Sequence, residues 1–308
     1  RQAYARRDLT QNQISIVQEN LDSAVVETYY NLLTLRRVID LSVQQVESSQ
    51  TMLGATEARV RAGTVTDFEL TRARLRLVQT EKDLERARLQ FVQVRQALAQ
   101  ILQIAPDFDV TTPVAPGVPD EPEVLAEQAR QNRATVQADF LNIIVAQRGL
   151  EEVYWRYMPA FSATFTYFGA RETAFTPADP QWSLVFGAEW ILWDGGMRRA
   201  EIQQNRAQLV AAEIRQRQTL HRLDSEIQSG WTEYLSAQAQ VESGQSEVEL
   251  AMRSFEQAEI AYRHGVATQL DVINAQDQLQ LAQISFVQDQ LLLELAAYNL
   301  RILAGVQD

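Results

Sequence analysis

A long segment in the first third of the chain places apolar or small side chains at alternating steps of three and four residues. This spacing is typical of a heptad seam, in which helices pack knobs into holes. The seam positions are Leu70, Ala73, Leu77, Thr80, Leu84, Ala87, Phe91, Val94, Leu98 and Ile101. We therefore expect a long helix here that packs against other helices along its length.

The same seam recurs 202 positions later, with Asp289 as its one polar exception. Its positions are Val272, Ala275, Leu279, Ala282, Phe286, Asp289, Leu293, Ala296, Leu300 and Leu303. The segment before each seam repeats as well, because Val60–Ala73 and Tyr262–Ala275 share an Arg, a Gly, a Thr and an Ala in the same register. An ungapped match over two helices predicts a duplicated chain with two related halves.

Proline and glycine positions set the expected limits of the other helices. Residues 2–62 contain no proline and one glycine, Gly54, which predicts a helix roughly 90 Å long at about 1.5 Å per residue. The segment 106–122 contains five of the eight prolines and predicts an extended connector. A helical pattern then resumes and continues without a break over 123–158.

The periodicity changes from about 3.6 to 2 after residue 159, where apolar and polar side chains alternate in two runs. Each run has the length of a tilted membrane strand, which needs about 9–11 residues. Aromatic residues lie toward its ends, as in outer-membrane barrels. We expect a β-hairpin with a polar loop over 169–180. The side chains expected to face lipid are Phe161, Phe165, Tyr167, Trp182, Leu184, Phe186 and Trp190.

This hairpin has a second interpretation, as the cap of a helical bundle in a soluble protein. Its aromatic face would then be an exposed apolar patch far larger than a soluble monomer usually tolerates, which favours lipid. A lone hairpin is only marginally stable in water, and its open edges are not tolerated in lipid. Further copies of the chain are therefore expected to close the sheet.

These patterns predict a mainly α fold with a small β part, built from long antiparallel coiled-coil helices with an internal duplication. They divide the chain into five segments. The segments are the helical hairpin of the first repeat (1–105), the proline-rich connector (106–122), the helix of the second repeat (123–158), the transmembrane β-hairpin (159–193) and the helical hairpin of the second repeat (194–308).

Charge and composition exclude several functions. The net charge of -12 argues against a surface that binds phosphates, and hence against nucleic acid as a partner. The absence of cysteine excludes a disulfide framework or a thiol nucleophile within these residues. The two histidines, His221 and His264, have no clustered partners at metal-ligand spacing, and no phosphate-binding loop or nucleophile elbow occurs. We therefore expect no enzymatic activity, no cofactor and no metal site.

Gly63 and Gly265 are predicted to end the first helix of each helical hairpin, since glycine adopts the left-handed capping conformation at low cost. The two tips share more than a turn requires, because each has an Arg two residues before the glycine and a Thr three residues after it. Six residues after the glycine stands an acid, Glu69 or Asp271. This acid either complements the helix dipole or lines a pore, and both roles stay open at this point.

The segment from Arg263 to Ala275 (RHGVATQLDVINA) resembles the second helix-tip motif of the TolC-like outer membrane efflux proteins. The segment from Trp190 to Gly196 (WILWDGG), followed by Arg198, resembles the strand-to-helix turn of that family. The segment 156–159 (RYMP) resembles the helix end before its second hairpin. The resemblance covers essentially the whole chain.

The resemblance implies a homotrimer in which each protomer gives four strands to a shared twelve-stranded barrel and long helices to a periplasmic α-barrel. Because one hairpin pattern is present, it also implies a helix and a first hairpin before Arg1, with any signal peptide or lipidated cysteine. The implied role is a passive outer-membrane exit duct for small molecules in a Gram-negative-type cell. Its partners would be a periplasmic adaptor, an inner-membrane transporter and outer-membrane lipid. The alternatives are the outer channel of a type I protein-secretion system and a soluble coiled-coil scaffold.

By resemblance, the helix tips contact the adaptor and constrict the pore. The adaptor-contacting residues would be Gly63, Thr64, Thr66, Gly265, Val266 and Thr268, and those at the pore entrance Asp271, Asn274, Glu69, Arg72 and Tyr262. Asp271 occupies the position of an acidic ring, while Asn274 stands where some members carry a second acid. Ala267 lacks the basic residue that, in some members, pairs with the acid at the position of Glu69. We therefore expect a closed state that is held differently, or less tightly.

Overall fold

The computed structural model of the chain describes residues 2–113, 117–168 and 181–305. Within these residues the chain forms six α-helices and two β-strands. They are α1 (Gln2–Arg61), α2 (Asp67–Leu102), α3 (Pro122–Asn132), α4 (Ala134–Trp155), β1 (Ala160–Phe168), β2 (Gln181–Glu189), α5 (Met197–Arg263) and α6 (Gln269–Leu303). The mainly α fold with a small β part is confirmed. The expected loop over 169–180 lies outside the described residues.

The chain forms two compact units. The first unit consists of Arg1–Ile14 and Ala134–His221, and the second of Ser15–Arg133 and Arg222–Asp308. Each unit contains part of α1 and part of α5, whereas the five segments of the sequence analysis follow the repeat. That division by repeat stays a prediction.

Both heptad seams lie inside the second unit. All twenty positions of the two seams are buried or half-buried, including the polar exception. Asp289 fits because α5 has a glycine beside it: a Cβ at Gly244 would lie 3.3 Å from the Asp289 Oδ2 atom. A missing side chain on one helix therefore leaves room for a carboxylate on the other.

One apolar cluster in the core of the second unit is formed by α1, α2 and the proline-rich connector. Its buried residues are Tyr30, Leu32, Leu33, Leu98 and Val110. Val110 belongs to the connector, which cannot continue a helix and instead lies extended along α1. The connector is held there by two polar contacts, from Arg36 to Asp109 and from the Tyr29 hydroxyl to the Thr111 carbonyl.

The prediction of one unbroken helix over 123–158 is wrong. The helix breaks at Arg133, whose backbone is extended with φ -68° and ψ 127°. The guanidinium of Arg133 is 2.8 Å from the Glu226 carboxylate of α5, and the Arg133 N–H donates to the Ala129 carbonyl at 3.0 Å. The break coincides with an ion pair to a residue far along the chain. The local sequence contains no helix-breaking residue from which the break could be predicted.

The two strands form an antiparallel hairpin in the first unit. Residues directly opposite each other in such a pair share a face of the sheet. The opposite pairs on the apolar face are Phe161 with Ala188, Ala163 with Phe186, Phe165 with Leu184 and Tyr167 with Trp182. The register therefore collects six of the seven predicted lipid-facing side chains on one face. Trp190, the seventh, follows β2, and its indole N–H donates to the Tyr157 carbonyl at 3.1 Å.

Among the helices of the described residues, none is long and apolar enough to cross a membrane.

Candidate functional site at the helix tips

The two helix tips are built on the same glycine turn. Gly63 has φ 70° and Gly265 has φ 74°, both in the left-handed region. The residue after each glycine closes the turn, since the Thr64 N–H donates to the Arg59 carbonyl at 3.0 Å and the Val266 N–H to the Ala261 carbonyl at 2.9 Å. These bonds satisfy carbonyls that the end of a helix would otherwise leave unpaired.

Gly265→Ala is expected to destabilise the protein by about 1–2 kcal/mol, because an L side chain in the left-handed conformation is strained. No atom lies within 4 Å of the added Cβ, so strain is the only effect. Gly54→Ala is the matched control, since this glycine also has open space but lies inside α1 without a positive φ. It should stabilise by about 0.5–1 kcal/mol. Thermal unfolding of both variants checks the prediction, which two shifts of the same sign would contradict.

The second tip carries a capping box at the start of α6. The Asp271 carboxylate accepts hydrogen bonds from the Thr268 backbone N–H at 2.8 Å and from the Thr268 hydroxyl at 2.7 Å. In return, the Asp271 N–H donates to the Thr268 hydroxyl oxygen at 3.3 Å. The hydrogen bonds from Thr268 hold the pKa of Asp271 below its usual value. The carboxylate therefore stabilises the helix start and, being exposed, also presents its charge to solvent.

The first tip lacks this arrangement. Thr66 caps α2 without a side-chain hydrogen bond. The Glu69 carboxylate lies instead 3.5 Å from the Tyr262 hydroxyl, which donates to it from the end of α5. The Tyr262 ring lies under the Arg59 guanidinium, 4.5 Å from its centroid. Glu69, Tyr262 and Arg59 thus join the two tips, and we call these three residues the tip contact.

The other two predicted entrance residues lie apart from the tip contact. Asn274 is exposed, one helical turn after Asp271 on α6. Arg72 is half-buried, and its guanidinium lies 4.8 Å from the centroid of the Phe68 ring.

A groove of about 420 Å³ lies between the tips. Five predicted site residues line it: Thr64, Glu69, Tyr262, Gly265 and Thr268. The groove is also lined by Arg59, Val65, Arg263, Ala267 and Gln269. Gly63, Thr66 and Val266 are exposed, and Val266 exposes 85% of its surface.

Sequence reasoning missed Arg59 and Gln269. Arg59 had no signal, because its position two residues before the end of α1 is ordinary for a basic residue at a helix C-terminus. Gln269 is buried, and its amide donates to the Thr56 hydroxyl at 3.2 Å. The sequence did contain an indication for Gln269, since a second glutamine, Gln276, follows at the seven-residue spacing of a heptad.

The turn from strand to helix is held by one ion pair. The Asp194 carboxylate accepts from the Arg198 backbone N–H at 3.0 Å, from its Nε at 2.7 Å and from the Gly196 N–H at 3.1 Å. The pKa of Asp194 is held below its usual value, chiefly by the Arg198 side chain. Arg198 also donates to the Ile191 carbonyl, and its guanidinium lies 4.9 Å from the centroid of the Tyr157 ring. The end of the hairpin is thereby fixed to the first turn of α5.

The predicted lipid-facing side chains are all exposed in the chain, from 46% at Leu184 to 80% at Phe161. Three further apolar residues after β2 were missed, namely Ile191, Leu192 and Trp193, and Trp193 exposes 86% of its surface. Together they extend the apolar surface beyond the strands to the turn at Asp194.

The described residues hold no group of three or more His, Asp or Glu side chains that could bind a metal ion.

Comparisons of the sequence and of the structure with known proteins agree with one another. The family model described as "Outer membrane efflux protein" matches residues 1–102 and 125–306. The outer membrane efflux protein BepC of Brucella suis is 22% identical over 309 residues, which cover 97% of this chain and 65% of the relative. The pyoverdine export outer membrane protein OpmQ of Pseudomonas putida is 24% identical over 284 residues, which cover 87% of this chain and 58% of the relative. The chain thus spans less than two thirds of the length of either relative.

Among solved structures, the outer membrane protein VceC from Vibrio cholerae aligns with a TM-score of 0.81 at 17% identity. The alignment covers 99% of this chain and 75% of that chain. At this identity the likeness establishes a shared fold.

Proposed function

Since the chain belongs to the outer membrane efflux protein family, we propose that it forms the outer-membrane exit duct of a tripartite efflux system. The chain lies in the outer membrane of a Gram-negative-type cell, in agreement with the descriptions of its family and relatives. In the proposed duct its helices extend into the periplasm. The duct is a passive conduit for small molecules. A periplasmic adaptor and an inner-membrane transporter, which supplies the energy, are its proposed partners.

The observation that carries this proposal is the apolar face of the hairpin. Its aromatic side chains lie in register on one face and are exposed in the chain. In a soluble coiled-coil scaffold this apolar face would stay exposed to water, whereas in the outer membrane lipid would cover it.

The proposed assembly is a homotrimer, and two features support it. The outer edges of the hairpin have no strand partner among the described residues, and open edges are not tolerated in lipid. In addition, α2 carries an apolar stripe that is interrupted at the heptad positions of Lys82 and Glu85 and stays exposed within the described residues. Its residues are Phe68, Leu75, Val78, Leu89 and Val92, which expose between 38% and 66% of their surface. A neighbouring protomer would bury this stripe.

The entrance of the duct lies at the helix tips in this proposal. The adaptor contacts the exposed tip residues, which are Gly63, Thr64, Thr66, Gly265, Val266 and Thr268. The adaptor contacts separated tips and joined tips differently, and this difference shifts the population between the open and the closed state of the entrance. The tip contact of Glu69, Tyr262 and Arg59 holds the two helical hairpins of a protomer together, in place of a basic residue at Ala267. Asp271 presents its charge to the pore.

Planar-bilayer recording of the full-length protein tests the function. We expect a trimer that requires detergent for extraction, changes its gel mobility on heating and gives stepwise ion conductance. Recovery from the soluble fraction without detergent, together with silent bilayers, would support the coiled-coil scaffold and refute the duct.

A further inference from the structure

The buried face of α1 changes from apolar to polar along its length. Tyr30, Leu32 and Leu33 are at most 5% exposed and belong to the core of the second unit. From Ser42 to Arg61, by contrast, each fully buried position of α1 is polar. These positions are Ser42, Gln45, Ser49 and Thr56, with exposures between 1% and 8%. Ser42, Ser49 and Thr56 follow one another at intervals of seven residues, which places them on one face of the helix.

The buried face of α6 is mixed toward the tips, where Gln269 and Gln276 lie among Val272, Ile273 and Ala275, and its buried positions farther from the tips are apolar. Gln269 and Gln276 are 1% and 3% exposed and again seven residues apart. The Gln269 amide donates to the Thr56 hydroxyl at 3.2 Å, and the Gln276 amide to the Ser48 hydroxyl at 2.7 Å. Further along α6, Leu291 and Leu295 pack against the apolar core. We call Ser42, Gln45, Ser48, Ser49, Thr56, Gln269 and Gln276 the polar seam.

The polar seam has more hydrogen-bonding groups than it can pair internally. Four of its buried side-chain atoms have no protein partner: the Gln45 Nε2, the Ser49 Oγ, the Gln269 Oε1 and the Gln276 Oε1. Buried polar atoms without partners lower the stability of the packed state, because water satisfies them when the interface opens. An apolar interface behaves in the opposite way, since parting it exposes apolar surface to water.

We propose that the polar seam is a release element that lets α6 part reversibly from α1 at the tips. The inference rests on the proposed function, because it names the residues that make the parting of the tips energetically easy. Polar groups of the seam exchange their bonds to one another for bonds to water, while the apolar packing around Leu32 and Leu33 stays intact. The separation of α6 from α1 therefore ends between Leu33 and Ser42, where the buried side chains of α1 change from apolar to polar.

A static alternative is a polar but permanently closed interface, and the separation of the tips distinguishes the two. Because residues 1–308 contain no cysteine, spin labels at Ala62→Cys and His264→Cys report this separation in full-length protein in which any cysteine outside these residues is replaced or blocked. Both positions are exposed in the tip loops. Trimers diluted with unlabelled protomers isolate the distance within one protomer.

The variant Ser49→Ala with Gln276→Leu replaces two polar side chains of the seam by apolar ones and removes two of its four unpaired buried atoms. We expect wild-type protein to show a short and a long tip distance, and the double variant to lose the long population by about tenfold or more. Gln278→Leu is the matched control, since it adds the same leucine at an exposed position of α6 and should keep the wild-type distribution. Ser49→Ala alone adds no volume, and should shift the population in the same direction by a smaller factor.

A double variant with the wild-type distribution overturns the proposal, and so does a wild-type protein with a single tip distance. Conductance recorded on the same preparations separates this inference from the function. Silent wild-type protein refutes the duct itself. If the protein conducts but its tips separate as often in the double variant as in the wild type, the release element alone is refuted.

Discussion

Phe165→Arg is expected to abolish insertion of the protein into the outer membrane. Phe165 lies in the middle of β1, on the apolar face of the hairpin, and is 64% exposed in the chain. An arginine on the lipid face of a barrel strand costs about 2–4 kcal/mol at the bilayer midplane. A trimer carries three such residues, so the combined cost is roughly three times that value. Variant protein should therefore disappear from the outer-membrane fraction and fail to form heat-modifiable trimers.

Thr164→Arg is the matched control for this prediction. Thr164 precedes Phe165 on the same strand and lies on the opposite face, where its partner across the strands is Val185. A charge that points away from lipid is tolerated far better, so this variant should insert and assemble as the wild type does. Normal insertion of Phe165→Arg, or equal failure of both variants, would show that the apolar face does not contact lipid.

Asp271→Ala is expected to weaken block of the conductance by multivalent cations by about tenfold or more. Asp271 is exposed in the chain, and in the proposed trimer three such carboxylates near the axis, bounded by walls of low dielectric constant, would concentrate cations at the entrance. Removing them should also reduce the preference for cations over anions in planar bilayers. Unchanged selectivity and block would refute a pore-lining role for Asp271.

Loss of the capping box accompanies this substitution, and Thr268→Ala separates the two effects. This variant removes the hydroxyl that bonds to Asp271 and keeps the carboxylate. It should loosen the start of α6, seen as faster hydrogen exchange of its first amides, while cation block at neutral pH persists.

The pH dependence of the block provides a second check on the same pair. The pKa of Asp271 is lowered by its hydrogen bonds to Thr268, so its charge remains at every pH above this lowered value. Block should therefore disappear only as the pH falls through it, and in Thr268→Ala at a higher pH. The ionised Asp271 carboxylate also stabilises the folded protein. This stabilisation is complete above the pKa of the carboxyl in the unfolded chain, and it is lost as the pH falls through the lower pKa of the folded protein.

Local regularities explain why much of the fold is readable from the sequence. A heptad seam, a left-handed glycine or a run of alternating side chains each constrains neighbouring residues. The hairpins at Gly63 and Gly265 and the apolar face around Phe165 were predicted on this basis. The duplication strengthened these predictions, because each tip provided a second example of the other.

Contacts between distant segments were not readable in this way. Arg59 contacts the Tyr262 ring and Arg133 contacts the Glu226 carboxylate, and the partners are separated by 203 and 93 positions in the sequence. Neither residue differs in kind from the many other arginines of the helices. The break after α3 and the tip contact therefore could not be predicted.

The sequence by itself determined most of the helices, the apolar faces of the two strands, the glycine turns and the family resemblance, since these depend on patterns within single segments. Only the tertiary structure decided what each buried polar side chain contacts. It set Glu69 against Tyr262 and placed the glutamines of α6 against the serines and threonines of α1. The physical reason is that burial marks a position as inward-facing, whereas hydrogen-bond partners depend on the relative placement of helices about 200 residues apart.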